Sequence, residues 1–245
     1  MKIQLVTYLN SLSRKQRLIN TLDILNHSHA DFVLFPGHTL GFVKDIDKLR
    51  KGLENKKVNA LIELQDMNSD RLRNALFLVK NGYVINLFSN QLFESSHEIN
   101  NNYELGSRLI NELKTRRKFK IKGKQFLILQ CGELNILKNI QSKGNSIEFR
   151  LADNMELSRS FEKIIKNTNI FLNPMHTPMG NKGKMQKRRQ FLSEKSRAYF
   201  SVSNTKLDGK DLKLKGLQYA YKNSNPLMEK IIDHQETYMV KEFEI

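Results

Sequence analysis

The order of apolar and polar residues predicts that strands and helices alternate along the chain. In residues 14–28, Leu18, Ile19, Leu22 and Leu25 recur at helical spacing. Short apolar runs, several of them ended by proline or glycine, are typical of buried strands. The predicted strands are Ile3–Tyr8, Asp31–Gly37, Val58–Leu64, Ala75–Lys80, Tyr83–Leu87, Lys124–Cys131, Ile170–Leu172, Tyr199–Ser203 and Thr237–Phe243. The predicted helices are residues 14–28, Lys44–Lys56, Glu156–Lys166 and Gln186–Ala198.

The dipeptide Asn81-Gly82 between two of these strands predicts a tight β-hairpin, because both residues tolerate a positive φ. No internal repeat, low-complexity tract or Pro/Gly/Ser-rich linker interrupts the alternation. We therefore expect one α/β domain over residues 1–245, with sheets covered by helices.

Composition adds expectations about the setting and the partners. The chain of 245 residues has a net charge of +16 and one cysteine, Cys131. A single cysteine excludes an intrachain disulfide, and no apolar run approaches the roughly 18 residues of a membrane span, so we expect a cytoplasmic protein. The positive charge indicates either attraction to a polyanion or a Lys-rich solvated surface.

Five segments, in order, resemble the nitrilase or carbon–nitrogen hydrolase superfamily. The first is Ala30–Pro36, followed by a hairpin running from Asn74 to Ile85. The segment Gly123–Glu133 resembles the strand that carries the family's nucleophile. Asn173-Pro174 and the stretch Ser193–Asn204 complete the series. The resemblance implies a four-layer αββα sandwich, and it also implies a homodimer packed through helices.

The resemblance implies catalysis by a Cys nucleophile, a Glu general base and a Lys that stabilises the oxyanion. A thiol needs a proton acceptor to become a nucleophile, and the developing oxyanion needs a fixed donor. Cys131 matches the nucleophile. Gly37 stands where the family has Glu, and Asn90 stands where it has Lys.

Two interpretations of Cys131 remain open at this point. It is either a small buried apolar residue or a nucleophile in a remodelled site. In the second case His38 or His176 replaces the base, Glu133 orients that histidine, and Asn90 donates to the oxyanion. The alternative for both histidines is an ordinary side chain at a loop end.

These residues support three hypotheses about function. Because two of the three family residues are missing, we expect a catalytically degenerate member, a pseudoenzyme with a binding or assembly role. The alternative is an active thiol amidohydrolase with a Cys-His-Glu site that acts on an amide-like C–N bond. The second alternative is a basic module that binds nucleic acid or an acidic protein.

Two basic stretches carry the last hypothesis, with a solvated rim as the ordinary interpretation. The residues expected to contact phosphate are Arg116, Arg117, Lys118, Lys182, Lys184, Lys187, Arg188 and Arg189. The glycines form no phosphate-binding motif and the six histidines show no metal-ligand spacing, so we expect no cofactor and no metal.

Overall fold

The computed structural model describes residues 1–40, 43–66, 73–144, 146–178, 182–205, 214 and 216–245. Its strands are β1 (Lys2–Tyr8), β2 (Phe32–Leu34), β3 (Ala60–Asp66), β4 (Arg73–Lys80), β5 (Tyr83–Asn90), β6 (Lys118–Ile121), β7 (Lys124–Ile128), β8 (Leu137–Ile140), β9 (Ser146–Phe149), β10 (Ile170–Met175), β11 (Ala198–Ser203), β12 (Gln218–Lys222), β13 (Asn225–Pro226), β14 (Lys230–His234) and β15 (Tyr238–Glu244). Its α-helices are α1 (Arg14–His27), α2 (Ile46–Gly52), α3 (Ser96–Ile99), α4 (Tyr103–Thr115), α5 (Met155–Lys166) and α6 (Lys182–Leu192). Three 3₁₀ helices cover Val43–Asp45, Cys131–Ile136 and Gln141–Lys143.

Two large sheets form the centre of the fold. One has seven strands in the order β14-β15-β1-β2-β3-β4-β5, and the other has six in the order β13-β12-β11-β10-β7-β6. In the first sheet β1, β2 and β3 run parallel, and in the second β7, β10 and β11 run parallel. Strands β8 and β9 form a small separate hairpin.

The hydrophobic core has three layers, because successive residues of a strand point to opposite faces of its sheet. Leu61 of β3 and Phe126 of β7 belong to the layer between the two sheets. Ile24 of α1 packs with Ile62 on the outer face of the seven-stranded sheet. Phe161 of α5 packs with Phe171 on the outer face of the six-stranded sheet. This arrangement is the predicted four-layer αββα sandwich.

The predicted hairpin is confirmed. Asn81 and Gly82 connect β4 to β5 with φ angles of 50° and 75°. Both values lie in the left-handed region that a two-residue turn of this kind requires.

Several predicted element ends are wrong, and each has a local cause. The strand expected to reach Cys131 ends at Ile128, since the chain turns into a 3₁₀ helix at Cys131. The helix expected to end at Ala198 ends at Leu192, because Lys195 and Ser196 adopt positive φ. The segment predicted as a helix over Lys44–Lys56 is a 3₁₀ turn followed by α2, which ends at Gly52.

Strand β10 extends past its predicted end at Asn173-Pro174 to Met175. Pro174 is tolerated there because the pairing of β10 with β7 stops at Leu172, opposite Ile128. A proline at that point therefore interrupts no pairing with β7. None of the helices in the described ranges is both long and apolar enough to cross a membrane.

Candidate active site

The candidate site lies between the two sheets, where the parallel strands β2, β7 and β10 end. Leu61 of β3 faces the layer between the sheets, so Glu63, two residues later, faces the same layer. The same alternation places Gln130 in this layer, because it lies two residues after Ile128. It also places His176 there, four residues after Leu172. The carboxyl ends of parallel strands are the usual place for a site in an α/β sheet.

Cys131 occupies a strained turn directly after β7. Its φ is +26°, which is unusual for a residue with a side chain, and it is the first residue of the 3₁₀ helix Cys131–Ile136. The side chain is partly exposed. A sharp strand-to-helix turn of this kind presents a nucleophile at the end of a sheet.

Asn173 holds this turn in place from the neighbouring strand. Its Nδ2 donates to the carbonyl of Leu129 at 2.6 Å and to the carbonyl of Cys131 at 3.4 Å. Its Oδ1 accepts a hydrogen bond from the Tyr199 hydroxyl at 2.9 Å. The resembling Asn173-Pro174 pair therefore fixes the backbone that carries the thiol.

His176 joins the thiol to a buried carboxylate. Its Nε2 contacts Oε1 of Glu63, and its interaction with the Cys131 side chain raises its pKa. The Glu63 side chain is fully buried, while the side chain of His176 is 18% exposed. The second Glu63 oxygen, Oε2, accepts a hydrogen bond from Gln130 Nε2 at 2.9 Å. The described residues thus form a continuous Cys131–His176–Glu63 chain.

The charges within this chain stabilise an ion pair. Burial of His176 lowers its pKa, but the Glu63 carboxylate and the hydrogen bonds with Cys131 and Glu63 raise it more, to about 11. Burial raises the pKa of Glu63, but the charge and hydrogen bond of His176, with smaller contributions from His38 and Gln130, bring it below its ordinary value. The proton therefore resides on His176 at neutral pH.

His38 completes the cluster. Its ring stacks on that of His176, with centroids 4.1 Å apart and planes inclined by 14°. The residue has a φ of 59°, and its carbonyl accepts a hydrogen bond from Arg17 Nη1 at 3.3 Å. His38 thus lies beside the chain of contacts rather than between Cys131 and Glu63.

Gly37, which the sequence resemblance aligns with the family's Glu, leaves the space that this cluster fills. A Cβ atom added there would lie 2.8 Å from Glu63 Oε1 and 2.9 Å from His176 Nε2. The Gly37 amide donates to the Met175 carbonyl at 3.0 Å, and its carbonyl accepts from Asn204 Nδ2 at 2.8 Å. A side chain at position 37 and the His176 ring therefore exclude each other.

The structure corrects the role expected for Glu133. Its fully buried carboxylate is paired with Arg117 and accepts hydrogen bonds from the amides of Leu92, at 2.7 Å, and Gln130, at 2.9 Å. Burial raises the pKa of Glu133, and the Arg117 charge opposes that rise. The carboxylate that contacts His176 is Glu63, which the sequence analysis missed. The signal for it was a lone carboxylate inside the apolar strand Val58–Leu64.

Asn90 lies elsewhere in the described structure. It ends β5, and its carbonyl accepts a hydrogen bond from Arg117 Nη2 at 2.6 Å. With Gln91 and Leu92 it lines a surface groove of about 640 Å³ next to α4. Among the described contacts, none joins the Asn90 side chain to Cys131, so the oxyanion role expected of Asn90 has no contact to support it.

Burial also corrects three residues of the expected phosphate-binding surface. Arg117 is buried against Glu133, Arg188 donates to Asn135 Oδ1 at 2.8 Å, and Arg189 lies over the Tyr219 ring. These three arginine side chains are buried and contact other residues of the protein. Arg116, Lys118, Lys184 and Lys187 are exposed, and Lys182 begins α6.

Solved structures with the same fold identify the architecture. An amidase from Nesterenkonia sp. AN1 aligns with a TM-score of 0.57 at 12% identity, covering 100% of this chain and 92% of that one. The fold is that of the carbon–nitrogen hydrolases. A carbon–nitrogen hydrolase superfamily protein from Xanthomonas campestris, with an arsenic adduct in its active site, aligns with a TM-score of 0.54 at 14% identity, covering 100% of this chain and 91% of that one.

A second structure of the Nesterenkonia amidase shares the same fold. It is a mutant with the acetamide moiety of fluoroacetamide added covalently at the active-site cysteine. It aligns with a TM-score of 0.56 at 12% identity, covering 99% of this chain and 90% of that one. No protein-family model and no curated protein sequence matches the chain.

Proposed function

We propose that this protein is a thiol-dependent hydrolase that cleaves an amide-like C–N bond through a Cys131–His176–Glu63 site. The observation that carries the proposal is the His176–Glu63 pair beside the strained turn of Cys131, with the Cys131 side chain acting on the charge of His176. We therefore favour an active enzyme with a remodelled site over a pseudoenzyme. Glu63 takes the role of orienting the histidine, which the sequence led us to expect of Glu133.

Each residue has one task in the proposed reaction. Cys131 attacks as the thiolate of a resting thiolate–imidazolium pair with His176. Its sulfur forms an S–C bond with the carbonyl carbon while the C=O electron pair moves to oxygen. His176 then donates its proton to the leaving nitrogen as the C–N bond breaks, which leaves a thioester. Neutral His176 next takes a proton from water, which hydrolyses the thioester and releases the acid.

Glu63 stabilises the imidazolium form of His176 whenever it is present in this cycle. Its carboxylate remains ionised because it contacts His176 and accepts from Gln130. A buried acid that orients a catalytic histidine in this way fixes the ring and its tautomer.

The test is covalent labelling of the protein by fluoroacetamide, followed by intact-mass and peptide mass spectrometry. Cys131 is the only cysteine of the sequence, so a thiol adduct has one possible position. We expect one acetamide moiety on Cys131 in the wild type and labelling at least about 100-fold slower in His176→Ala, which lacks the proton acceptor. His97→Ala, a variant of an exposed histidine in α3, is the matched control.

Equal labelling of the wild type and His176→Ala would contradict the proposal and return the pseudoenzyme to first place. Screening of simple aliphatic amides for ammonia release then separates turnover from mere thiol reactivity. A wild type that forms the adduct but releases no ammonia from any amide has an activated thiol and a different substrate class.

A homodimer packed through helices is proposed alongside this activity. An apolar groove of about 580 Å³ lies on the outer face beside α5 and α6 and includes Phe149, Phe161 and Phe191. Light scattering on a size-exclusion column should give twice the monomer mass, and Phe191→Glu should shift the protein toward monomer. An unshifted dimer would place the interface elsewhere.

The cytoplasmic setting and the polyanion partner also stay predictions. With Arg117, Arg188 and Arg189 buried, the proposed contact with nucleic acid or an acidic protein rests on Arg116, Lys118, Lys184 and Lys187. Binding of a labelled oligonucleotide that weakens steeply with added salt would support it. Salt-independent or absent binding would leave these residues as a solvated rim.

A further inference from the structure

Three side chains at the site have the composition of a transition-metal centre. The ligand atoms of His38, Glu63 and His176 all lie within 4.8 Å of one another. They come from three separate parts of the chain: the loop after β2, the strand β3 and the residue after β10. This separation in sequence explains why no metal-ligand spacing was visible there.

We propose that His38, Glu63 and His176 bind a divalent transition-metal ion of the zinc type. Two imidazoles and one carboxylate are ligands that zinc accepts, while an ion such as Mg²⁺ prefers oxygen ligands alone. Three protein ligands leave a fourth position open for water or another small ligand.

The surroundings of the three residues are those of a metal site. Gln130 Nε2 donates to Glu63 Oε2 at 2.9 Å, so the carboxylate is oriented from behind by a second residue. The Thr39 amide donates to the Glu63 carbonyl at 2.8 Å and ties the His38 loop to β3. Glu63 is fully buried and both histidines are partly buried, which limits competition from water.

Binding requires two small movements. Ligand atoms about 2.0–2.2 Å from a tetrahedral zinc ion lie about 3.4 Å apart, whereas His176 Nε2 and Glu63 Oε1 are in direct hydrogen-bond contact. The ion would take the place of the proton between these two groups, which would move slightly apart. His38, whose ring stacks on that of His176, would rotate about its side-chain torsions to bring a nitrogen to the ion.

A bound metal and the thiol chemistry would use the same groups. Glu63 and His176 would become ligands, so the His176 imidazole could no longer accept the proton of Cys131. A metal ion at this position therefore switches the proposed hydrolase off. The metal site itself does not depend on the hydrolase activity.

The first experiment is isothermal titration of metal-free, full-length protein with ZnCl₂ and, in parallel, with MgCl₂. We expect one Zn²⁺ per chain and no saturable binding of Mg²⁺. His38→Ala should weaken Zn²⁺ binding by more than about 100-fold, and Gln130→Ala, which removes only the residue behind Glu63, by about 10–100-fold. His97→Ala, in exposed α3, should bind Zn²⁺ as the wild type does. Absence of saturable Zn²⁺ binding, or equal affinity in His38→Ala and the wild type, would overturn the metal site.

The second experiment separates this proposal from the proposed function. Fluoroacetamide labelling of Cys131 is measured with and without one equivalent of Zn²⁺. Labelling that stops with Zn²⁺ supports both proposals and their shared groups. Zn²⁺ binding to a protein whose thiol is unreactive in either state keeps the metal site and removes the hydrolase. A reactive thiol in a protein that binds no Zn²⁺ keeps the hydrolase and removes the metal site.

Discussion

Replacement of Glu63 by glutamine tests the ion pair at the centre of the site. The substitution keeps the shape of the side chain and its ability to hydrogen-bond but removes the negative charge. In the wild type that charge holds the pKa of His176 at about 11 against the effect of burial. Without it, we expect the pKa of His176 to fall by several units, toward its ordinary value of 6.5.

The direct measurement is the pH titration of His176 by ¹⁵N-edited NMR of histidine-labelled protein. The wild-type ring should remain an imidazolium at pH 8, whereas the Glu63→Gln ring should be largely neutral. The control is Glu229→Gln, which removes an exposed carboxylate paired with Lys241 of β15, a strand separated from β3 by β1 and β2. If Glu63→Gln and the wild type titrate alike, Glu63 does not set the charge of His176.

The same ion pair also contributes to the free energy of unfolding. Loss of one partner of a buried pair costs about 3–5 kcal/mol, and we expect about 3 kcal/mol at pH 7, because His176 is 18% exposed and can lose its proton. A histidine whose pKa is raised in the folded state stabilises the protein fully below its unfolded value of about 6.5. That contribution is lost as pH rises through about 11.

The difference in unfolding free energy between wild type and Glu63→Gln should therefore shrink on approach to pH 11. The lowered pKa of Glu63 acts in the opposite direction, so its contribution is present above about 4.5 and lost in acid. Urea unfolding at several pH values measures both the loss of the His176 contribution at high pH and the loss of the Glu63 contribution at low pH. A difference that does not change between pH 7 and pH 11 would refute the reasoning.

The remaining predictions concern neighbouring groups. Gly37→Ala should destabilise the protein by about 1–3 kcal/mol, because the added methyl group overpacks against the His176 ring. Measured by thermal unfolding, this cost should be smaller when His176 is also replaced by alanine. An equal cost in both backgrounds would place the clash elsewhere. Arg117→Met should lower the urea midpoint by the equivalent of about 3–5 kcal/mol, because it leaves the Glu133 carboxylate buried and unpaired. Adding Glu133→Gln to this variant should restore part of the lost stability. A double variant no more stable than Arg117→Met would contradict the pairing. Cys131→Ser should fold with wild-type stability and lose all fluoroacetamide labelling, and any residual adduct would show that the reagent modifies another group.

The fold was predictable from the sequence because local and long-range signals agree. The Asn81-Gly82 turn and the strand periodicities predicted the hairpin and the α/β class, and the resemblance to the carbon–nitrogen hydrolases predicted the sandwich. Helix α4 was missed although its signal is present, with Leu105, Leu109 and Leu113 at helical spacing and Asn102 capping its first turn. The element ends were less predictable, since backbone turns such as those at Lys195 and Ser196 depend on what the flanking segments pack against.

The candidate site was predictable only in part. Cys131 was predicted because it lies within a segment that resembles the family, and His176 because it follows one. Glu63 was not, because a carboxylate within a buried strand acquires its role from a partner more than a hundred residues later. Glu133 has a suitable spacing from Cys131, but the buried Arg117 binds it instead. Such partner choices depend on packing between sheets.

The position of β1 has a consequence for how the protein folds. This strand precedes the other described strands along the chain, yet it lies inside the seven-stranded sheet, with β2 on one side and β15 on the other. Lys2 pairs with Glu244, and the Met1 amino group donates to the Ile245 carbonyl at 2.8 Å. One side of β1 therefore stays unpaired until residues 238–244 have left the ribosome, and such non-local pairing slows folding. During synthesis the chain carries an open apolar strand edge, so a nascent or truncated form without β15 should aggregate and depend on chaperones.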